Sequence, residues 1–501
     1  MAARKQARQQ PEEKKERVEI GMTTPKSRFS EWYSEIILKA ELADLRHNTK
    51  GFLVHRPWSV LCMKEMYKLY EAELEKKCHL PVWFPAVIPE SNFKKEAEHV
   101  KGFAPNVFWV TETGDGTKLP EKLALRPTSE TAMYNMYSIW IRSWRDLPMK
   151  LYQSCQVWRY ETKATRPFIR GREFFWIEAH DVFATEKEAR AQVKEDMEIT
   201  EAIMHREFGI PFISFRRPDW DKFPGAVHTY AADTLMPDGK ALQQPSTHLL
   251  GQNFSKPFGI TFKDESGNDK YGWQTCHGPC IWRMMSSIIA IHGDDKGLRF
   301  PFRIAPMQVI IIPIKGCEKD AESLRKHLAV EGIRVMVDAS DSTPGWKFNQ
   351  WEMKGVPIRI ELGPQEVKTG IYTLKTRLHV TSDDKLLHPK QKYICESIRT
   401  LGSMITKELV RRADDHFYKN QIHDAKDIKS LESQLKKGGF VRVPFCTDMA
   451  EGGACADKIK EETHADVRGV RADKEEKPTA GAKCVACGKK ADVMVYVARQ
   501  Y

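Results

Sequence analysis

The chemistry-bearing residues of this chain gather in one stretch, residues 157–180, VWRYETKATRPFIRGREFFWIEAH. Arg159 and Glu161 lie two apart, and Arg170, Arg172, Phe174, Trp176, Glu178 and His180 repeat the same spacing. In an extended chain that alternation puts each set on one face. Read as a hairpin turning at the basic, proline-containing 163–167, the stretch projects guanidiniums, carboxylates and aromatics from a sheet onto one surface. Arginine forks suit phosphate, and carboxylates suit an amine or a base edge. The same pattern also describes a solvated ribbon whose charges pair across strands. The stretch alone leaves both readings open.

A second chemistry is written near the C-terminus. Cys484 and Cys487 form a CxxC knuckle followed by Gly488, and Cys446 and Cys455 have eight residues between them in CTDMAEGGAC. Four thiolates without histidine point to structural zinc rather than catalysis, with metal-free thiols as the alternative. Cys276, His277 and Cys280 are spaced too tightly for a standard metal site and read as pocket-lining thiols.

These residues need a scaffold, and 501 residues with 41% hydrophobic content can bury a large core in two to four domains. No run is apolar enough to span a membrane, and no signal core is evident. Eleven cysteines without framework spacing indicate a reducing compartment. A net charge of +11 is compatible with an anionic partner without requiring one. Residues 1–27 are polar and aperiodic and read as a frayed extension, more simply solvated than RNA-binding. Helical spacing predicts helices over 29–39, 58–77, 130–145, 187–208 and 284–292, with Thr128 or Ser129 capping the third. Strands are predicted at 82–88, around a 114–116 turn, and at 212–215. Strands with helices on one side indicate an α+β domain to about residue 300. Beyond it, strands at 309–313, 334–338 and 358–362 alternate with helices at 320–331 and 345–354, which indicates a small α/β domain. A long charged helix over 387–419 leads to the cysteine-bearing end.

Three separated stretches then fit one family. The segment around Pro85, the hairpin with Arg159-Tyr160-Glu161, and the helix-borne Arg283 resemble motifs 1, 2 and 3 of the class II aminoacyl-tRNA synthetases. LRPTSE (125–130), RGREFFW (170–176), HLLGQNFSK (248–256), PGWKFNQWEMKGVPIRIELGP (344–364) and the terminal Tyr501 resemble prolyl-tRNA synthetases of the eukaryotic and archaeal type. The likeness runs from about residue 29 to the end. It implies an antiparallel-sheet class II catalytic domain (28–300), a class IIa α/β anticodon-binding domain (301–400) and a small α+β zinc-binding domain (401–501).

The resemblance also implies a reaction and roles. Proline and ATP, with Mg²⁺ as part of that substrate, give prolyl-adenylate, and tRNA(Pro) then takes the prolyl group. Arg159 matches the arginine that grips the α-phosphate and the amino-acid carboxylate, and Arg283 the one at the γ-phosphate and adenine face. Glu161, Arg170 and Gln243 match further nucleotide positions. Thr128 and Glu130 match the pair that holds the proline ammonium, while Trp176, Glu178, His180 and His248 match the pocket around its ring. Trp176 is equally a residue of ordinary cores. Lys347, Glu352, Lys354 and Arg359 are candidates for the anticodon, and Cys446, Cys455, Cys484 and Cys487 for zinc. The interval from His180 to Trp273 is too short for the editing insertion of bacterial relatives. Gly278 lies five residues before Arg283, where motif 3 usually has a glycine four before. The expected protein is a cytoplasmic homodimeric ligase. The competing readings are a non-catalytic tRNA-binding paralogue and a related ligase for threonine or glycine.

Overall fold

The structure, a computed structural model, describes residues 21–47, 49–97, 106–314 and 316–501. Most of the predicted N-terminal extension lies outside the described residues. Its last part, however, is packed: Thr23 and Thr24 donate to Glu35, and Lys26 Nζ donates to the Gly293 carbonyl at 2.6 Å.

An eleven-stranded sheet organises the molecule. Its order is Ile422–Asp424, Phe440–Phe445, Val493–Ala498, Asp466–Arg471, Ile213–Arg216, His228–Leu235, Ala241–Gly251, Trp273–Gly278, Glu173–Phe183, Met149–Trp158 and Leu80–Pro81. All neighbours are antiparallel except the pair at each end. Strand alternation sorts the side chains of Glu173–Phe183. Ile177 and Ala179 enter the core behind the sheet with the helices Phe29–Lys39, Pro57–Lys76 and Ile281–His292. Glu178 and His180 face the other way. There the Glu130–Trp140 helix packs Met133, Tyr134 and Tyr137 against Val182, Leu250 and Cys276. Each large apolar side chain buried this way contributes about 1.5–3 kcal/mol.

The cysteine-bearing end joins the same sheet through Asp466–Arg471, whose Val470 and Arg471 pair with Arg216 and Phe215. Gly469 makes the approach feasible, since its φ is +124° and a Cβ there would sit 2.1 Å from the Arg216 carbonyl. Apart from this sheet stands a four-stranded one, ordered Val335–Val337, Val309–Pro313, Ile358–Leu362 and Thr373–Thr376, parallel but for the last strand. It matches the predicted α/β unit, with the antiparallel strand added.

Several expectations are corrected. The helix predicted over 130–145 is Glu130–Trp140, because Ile141 turns extended and a separate 3-10 turn, Trp144–Asp146, follows under a Ser143 capping box. Ser129 holds the N-cap position without capping, since its hydroxyl donates to Glu178. The strand expected over 82–88 is irregular and resumes only at Val87–Pro89, Pro85 lacking the N–H a ladder needs. The long helix starts at Ile394, not 387, because Pro389 disfavours helix at the residue before it. The helix predicted from 284 starts at Ile281, which places Arg283 within it.

The predicted 187–208 helix is Glu186–Thr200, started by a Thr185–Glu188 capping box and continued as a π-helix, Glu201–Glu207. In that continuation His205 bridges Glu201 (2.9 Å) and Asp414 (2.7 Å) of the long Ile394–Asn420 helix. Burial opposes its charge, but hydrogen bonds to Asp414 and Glu201 outweigh it and raise its pKa to about 9. A raised folded pKa stabilises fully below the unfolded value of about 6.5, and the contribution fades as pH rises through 9. With both partners part-exposed, about 1–2 kcal/mol is expected. His205→Gln should therefore flatten the fall in thermal midpoint between neutral and alkaline pH.

Candidate active site

All but one of the residues matched to proline and ATP converge on one cavity of about 490 Å³ on the front of the large sheet. Thr128, Glu130, Arg159, Glu161 and Trp176 line it, as do Glu178, His180, Gln243, His248 and Arg283. Arg170 is not among the lining residues. It stands behind Glu161 at 3.8 Å and faces a smaller cavity with Arg166. The strands carry only part of the predicted hairpin. Met149–Trp158 ends just before Arg159, and Glu173–Phe183 begins after Arg172. Arg159 is instead fixed by its own contacts. Its Nε donates to the Pro127 carbonyl at 3.0 Å, and its guanidinium lies 5.2 and 5.4 Å from the Phe174 and Trp176 ring centroids.

One end of the cavity is a buried carboxylate network. Glu178 accepts from the Ser129 N–H (3.1 Å), the Ser129 hydroxyl, Gln153 Nε2 (3.0 Å) and His180 Nε2 (3.2 Å). The Thr128 hydroxyl donates to Glu130 beside it. Burial works against the Glu178 charge, but His180, Ser129 and Arg126 outweigh it and hold its pKa below the usual carboxylate range. His180 is shifted the opposite way: burial opposes its protonation, while Glu178 and Glu130 raise its pKa overall. The result is a fixed anionic corner, suited to an ammonium group. His248 is its neutral neighbour, its pKa pushed down to about 3 by burial and by the charges of His277, His180 and Arg217. Its nitrogens meet the hydroxyls of Thr229 (2.9 Å) and Ser246 (3.2 Å).

The other end is cationic. Arg283 Nη1 donates to the Gln243 carbonyl at 3.3 Å, and Arg217 Nη2 reaches Gln243 Oε1 at 3.5 Å. Burial and the nearby Arg283 charge press the Arg159 pKa below its ordinary value, yet a guanidinium stays charged. An anion entering between Arg159 and Arg283 relieves that mutual repulsion. Cys276 and Cys280 line the cavity as expected, and burial raises the pKa of both, keeping them as thiols. Glu130, His180 and Cys276 also bring three potential ligand atoms within 4.8 Å. Glu130 and His180 are already engaged there by Thr128, Glu178 and Tyr134.

Sequence reasoning missed Arg217, the loop residues 221–224, Arg468 and Gln500, all of which line the cavity. Asp233, fully buried, joins two of them: Arg217 donates at 2.6 and 2.9 Å, and Arg468 Nε at 2.7 Å. The adjacent Arg468-Gly469 in Asp466–Arg471 was a faint available signal, since it pairs a buried charge with a close-approach residue.

The four C-terminal cysteines do meet, with all four sulfurs within 4.8 Å of one another and Cys446 and Cys455 at 3.7 Å. Four thiolates around one zinc at ~2.3 Å would lie roughly 3.8 Å apart. Of the anticodon candidates, Glu352 and Arg359 line a cavity of about 510 Å³, with Phe348, Lys375 and Arg377. Arg359 stacks 3.9 Å from the Phe348 centroid. Lys347 is buried and donates to the Asp338 carbonyl at 3.0 Å, and Lys354 pairs with Glu41.

Comparison with known proteins agrees with this layout. The model of the class II tRNA synthetase core domain (G, H, P, S and T) matches residues 108–292, that of the anticodon binding domain 308–391, and that of the prolyl-tRNA synthetase C-terminal domain 428–501. The proline–tRNA ligase of Thermofilum pendens is 51% identical over 498 residues, covering 96% of this chain and all of that one. The chain belongs to the prolyl-tRNA synthetase family. Its fold is accordingly the class II synthetase core with an anticodon-binding domain and the C-terminal domain particular to these enzymes. The proline–tRNA ligase of Pyrococcus abyssi is 41% identical over 487 residues, 94% of this chain and 98% of that relative. Among solved structures, the Giardia lamblia prolyl-tRNA synthetase in complex with prolyl-adenylate superposes with a TM-score of 0.87 at 34% identity, covering 96% of this chain and 100% of that one. The Cryptosporidium parvum enzyme with halofuginone and AMPPNP gives 0.87 at 32% identity, with the same coverage. No helix among the described residues is long and apolar enough to cross a membrane.

Proposed function

We propose that this chain activates L-proline with MgATP to prolyl-adenylate and transfers the prolyl group to tRNA(Pro), with the 490 Å³ cavity as the activation site. The observation that carries the reading is the polarity of that cavity, a fixed carboxylate corner at Thr128, Glu130 and Glu178 facing guanidiniums at Arg159 and Arg283. A proline ammonium fits the first end and a triphosphate the second. The carboxylate between them is left facing the α-phosphate. Attack there gathers negative charge on phosphorus oxygens, which preorganised arginines stabilise without a protein nucleophile. Glu161 and Gln243 border the nucleotide, with Arg170 supporting Glu161 from behind. Trp176, His180 and neutral His248 shape the compact pocket for the ring. Proline-dependent ATP–pyrophosphate exchange tests the reading. Exchange with proline but not threonine or glycine is expected, and no exchange with proline would end it. The complete carboxylate–arginine set and the relatives' names weigh against the non-catalytic and threonine or glycine alternatives.

The domains divide at about residues 28, 301 and 401, a division supported by where the three family models fall. The anticodon of tRNA(Pro) is read at Glu352 and Arg359, where stacked Phe348 and Arg359 offer the flat cationic surface that unpaired bases need. Lys347 and Lys354 serve that surface by bracing its helix against Asp338 and Glu41. The four cysteines hold one structural zinc. The donor set fits, being four gathered sulfurs with a knuckle whose Gly488 N–H donates to the Cys484 carbonyl at 3.0 Å. Metal analysis should return one zinc per chain, and Cys484→Ser with Cys487→Ser should lose it and lower the thermal midpoint.

The chain is a homodimer. Leu80 and Trp83, in the motif 1 segment, are 64% and 91% exposed, which is costly for large apolar groups unless a partner covers them. Trp83→Glu should shift the mass in solution from dimer toward monomer, and an unchanged dimer would place the interface elsewhere. The working compartment is the cytoplasm, in keeping with its scattered free cysteines.

A further inference from the structure

The loop at 218–224 stands between two sites that sequence treats as unrelated. Asp221, Lys222, Phe223 and Pro224 line the activation cavity. The start of the same loop is docked on the cysteine segment. Arg216 Nη2 donates to Asp448 Oδ2 at 2.5 Å, and the Asp219 N–H donates to the Asp448 carbonyl at 3.0 Å. Asp448 is 7% exposed and lies two residues from Cys446. Trp220 packs into the C-terminal core, its ring centroid 6.1 Å from Phe445. Gly452 leaves room for that ring, because a Cβ there would meet the indole at 2.8 Å and the Thr447 carbonyl at 2.1 Å. Gly452 and Thr447 both fall between the first two cysteines of the cluster.

At its far end the loop touches the proline pocket. Phe223 stands 4.8 Å from the His248 ring centroid. Its N–H donates to the Thr229 hydroxyl at 2.9 Å, and that hydroxyl meets His248 Nδ1 at 2.9 Å. The nucleotide end is held by a different device, since Arg217 and Arg468 are clamped on Asp233 within the sheet.

We propose that Asp448 and Trp220 are positioning residues through which the metal-bearing cysteine segment sets the proline pocket, so that loosening this contact weakens binding of proline and spares binding of ATP. The inference rests on the cavity being the proline-activation site. It gives the C-terminal cysteines a task beyond folding their own domain, as the foundation of the wall that holds Phe223 against His248. The link is mechanical, through packing and two hydrogen bonds. A displacement of about 1 Å at such a wall is enough to weaken a close-fitting site.

The test is ATP–pyrophosphate exchange by the full chain, varying proline and ATP separately, with zinc content measured in every preparation. Asp448→Asn and Trp220→Ala are expected to raise the proline KM about tenfold, with the ATP KM within about twofold and the zinc retained. Trp220→Phe should restore most of the loss. Calorimetric binding of proline without ATP should weaken in parallel. An unchanged proline KM in Asp448→Asn overturns the inference, even if Trp220→Ala does not fold. Equal rises in both KM values also overturn it, because they mark general loosening. If the wild type shows no proline-dependent exchange, the functional reading has failed, and the inference that rests on it falls too. Wild-type exchange with unaffected variants removes the inference alone.

Discussion

Replacing Arg159 with alanine should lower proline-dependent ATP–pyrophosphate exchange by about 10³-fold in kcat/KM, the scale of losing one preorganised donor at a developing charge. The half-buried guanidinium lies against the Phe174 and Trp176 rings and is tied by Nε to Pro127, so its remaining N–H groups are aimed before substrate arrives. Arg159→Lys should recover little. An ammonium keeps the charge, but it lacks the planar fork that lies against the rings and donates in two directions. The fold should survive either change, because the Arg159 side chain donates a single internal hydrogen bond and its backbone bonds to Arg172 and Glu161 do not depend on the side chain. Near-wild-type exchange by Arg159→Ala would remove this residue from the chemistry.

Replacing Glu178 with alanine should act on stability as well as on the site. Its carboxylate is the common acceptor of the Ser129 N–H and hydroxyl, Gln153 and His180, all buried. Alanine removes the acceptor these donors share and strips His180 of the buried carboxylate that raises its pKa, at a cost of about 3–5 kcal/mol. The pH dependence carries a signature. A carboxylate with a depressed folded pKa stabilises above its unfolded value of about 4.3, and that contribution is lost as pH falls through the folded pKa. The gap between wild type and variant in urea midpoint should thus be wide at neutral pH and close in acid. A gap that stays constant into acid would show that Glu178 is held neutral in the folded state. Glu178→Gln should fall between them, since its amide nitrogen would face donors.

How much of this was legible follows from which contacts are local. Phe174, Trp176, Glu178 and His180 were readable as one face because strand alternation alone fixes it. The α/β unit was readable for the same reason, its strands and helices alternating with clear periods. Arg159, Glu161 and Arg170 were picked by motif, but their placement was not periodic. They lie beyond the strand ends, where positions come from contacts such as Arg159 to Pro127 and Arg172 to Gly51. The helix at 130 was given five residues too many because nothing in its apolar spacing announces Ile141. Arg468, Gln500 and the 221–224 loop were invisible for a deeper reason. Arg468 reaches the cavity on a strand at 466–471 that adds to one at 213–216, and Gln500 through a bridge to Ala241, pairings that span some 250 residues. The loop is placed by contacts to Thr229 and Asp448, and none of these leaves a spacing to read.

That added strand bears on how the molecule is made. Chains emerge from the ribosome N-terminus first, and domains fold as they appear. The Ile213–Arg216 strand is synthesised long before the strand that will cover it. Throughout that interval it presents the unpaired N–H and C=O groups of an open edge, which invite pairing with another nascent chain. Arg468 and Gln500, which complete the cavity wall, come last of all. The nascent polypeptide therefore carries a nearly finished activation site with one side open, and it gains both its full wall and its protection from aggregation in the same closing step.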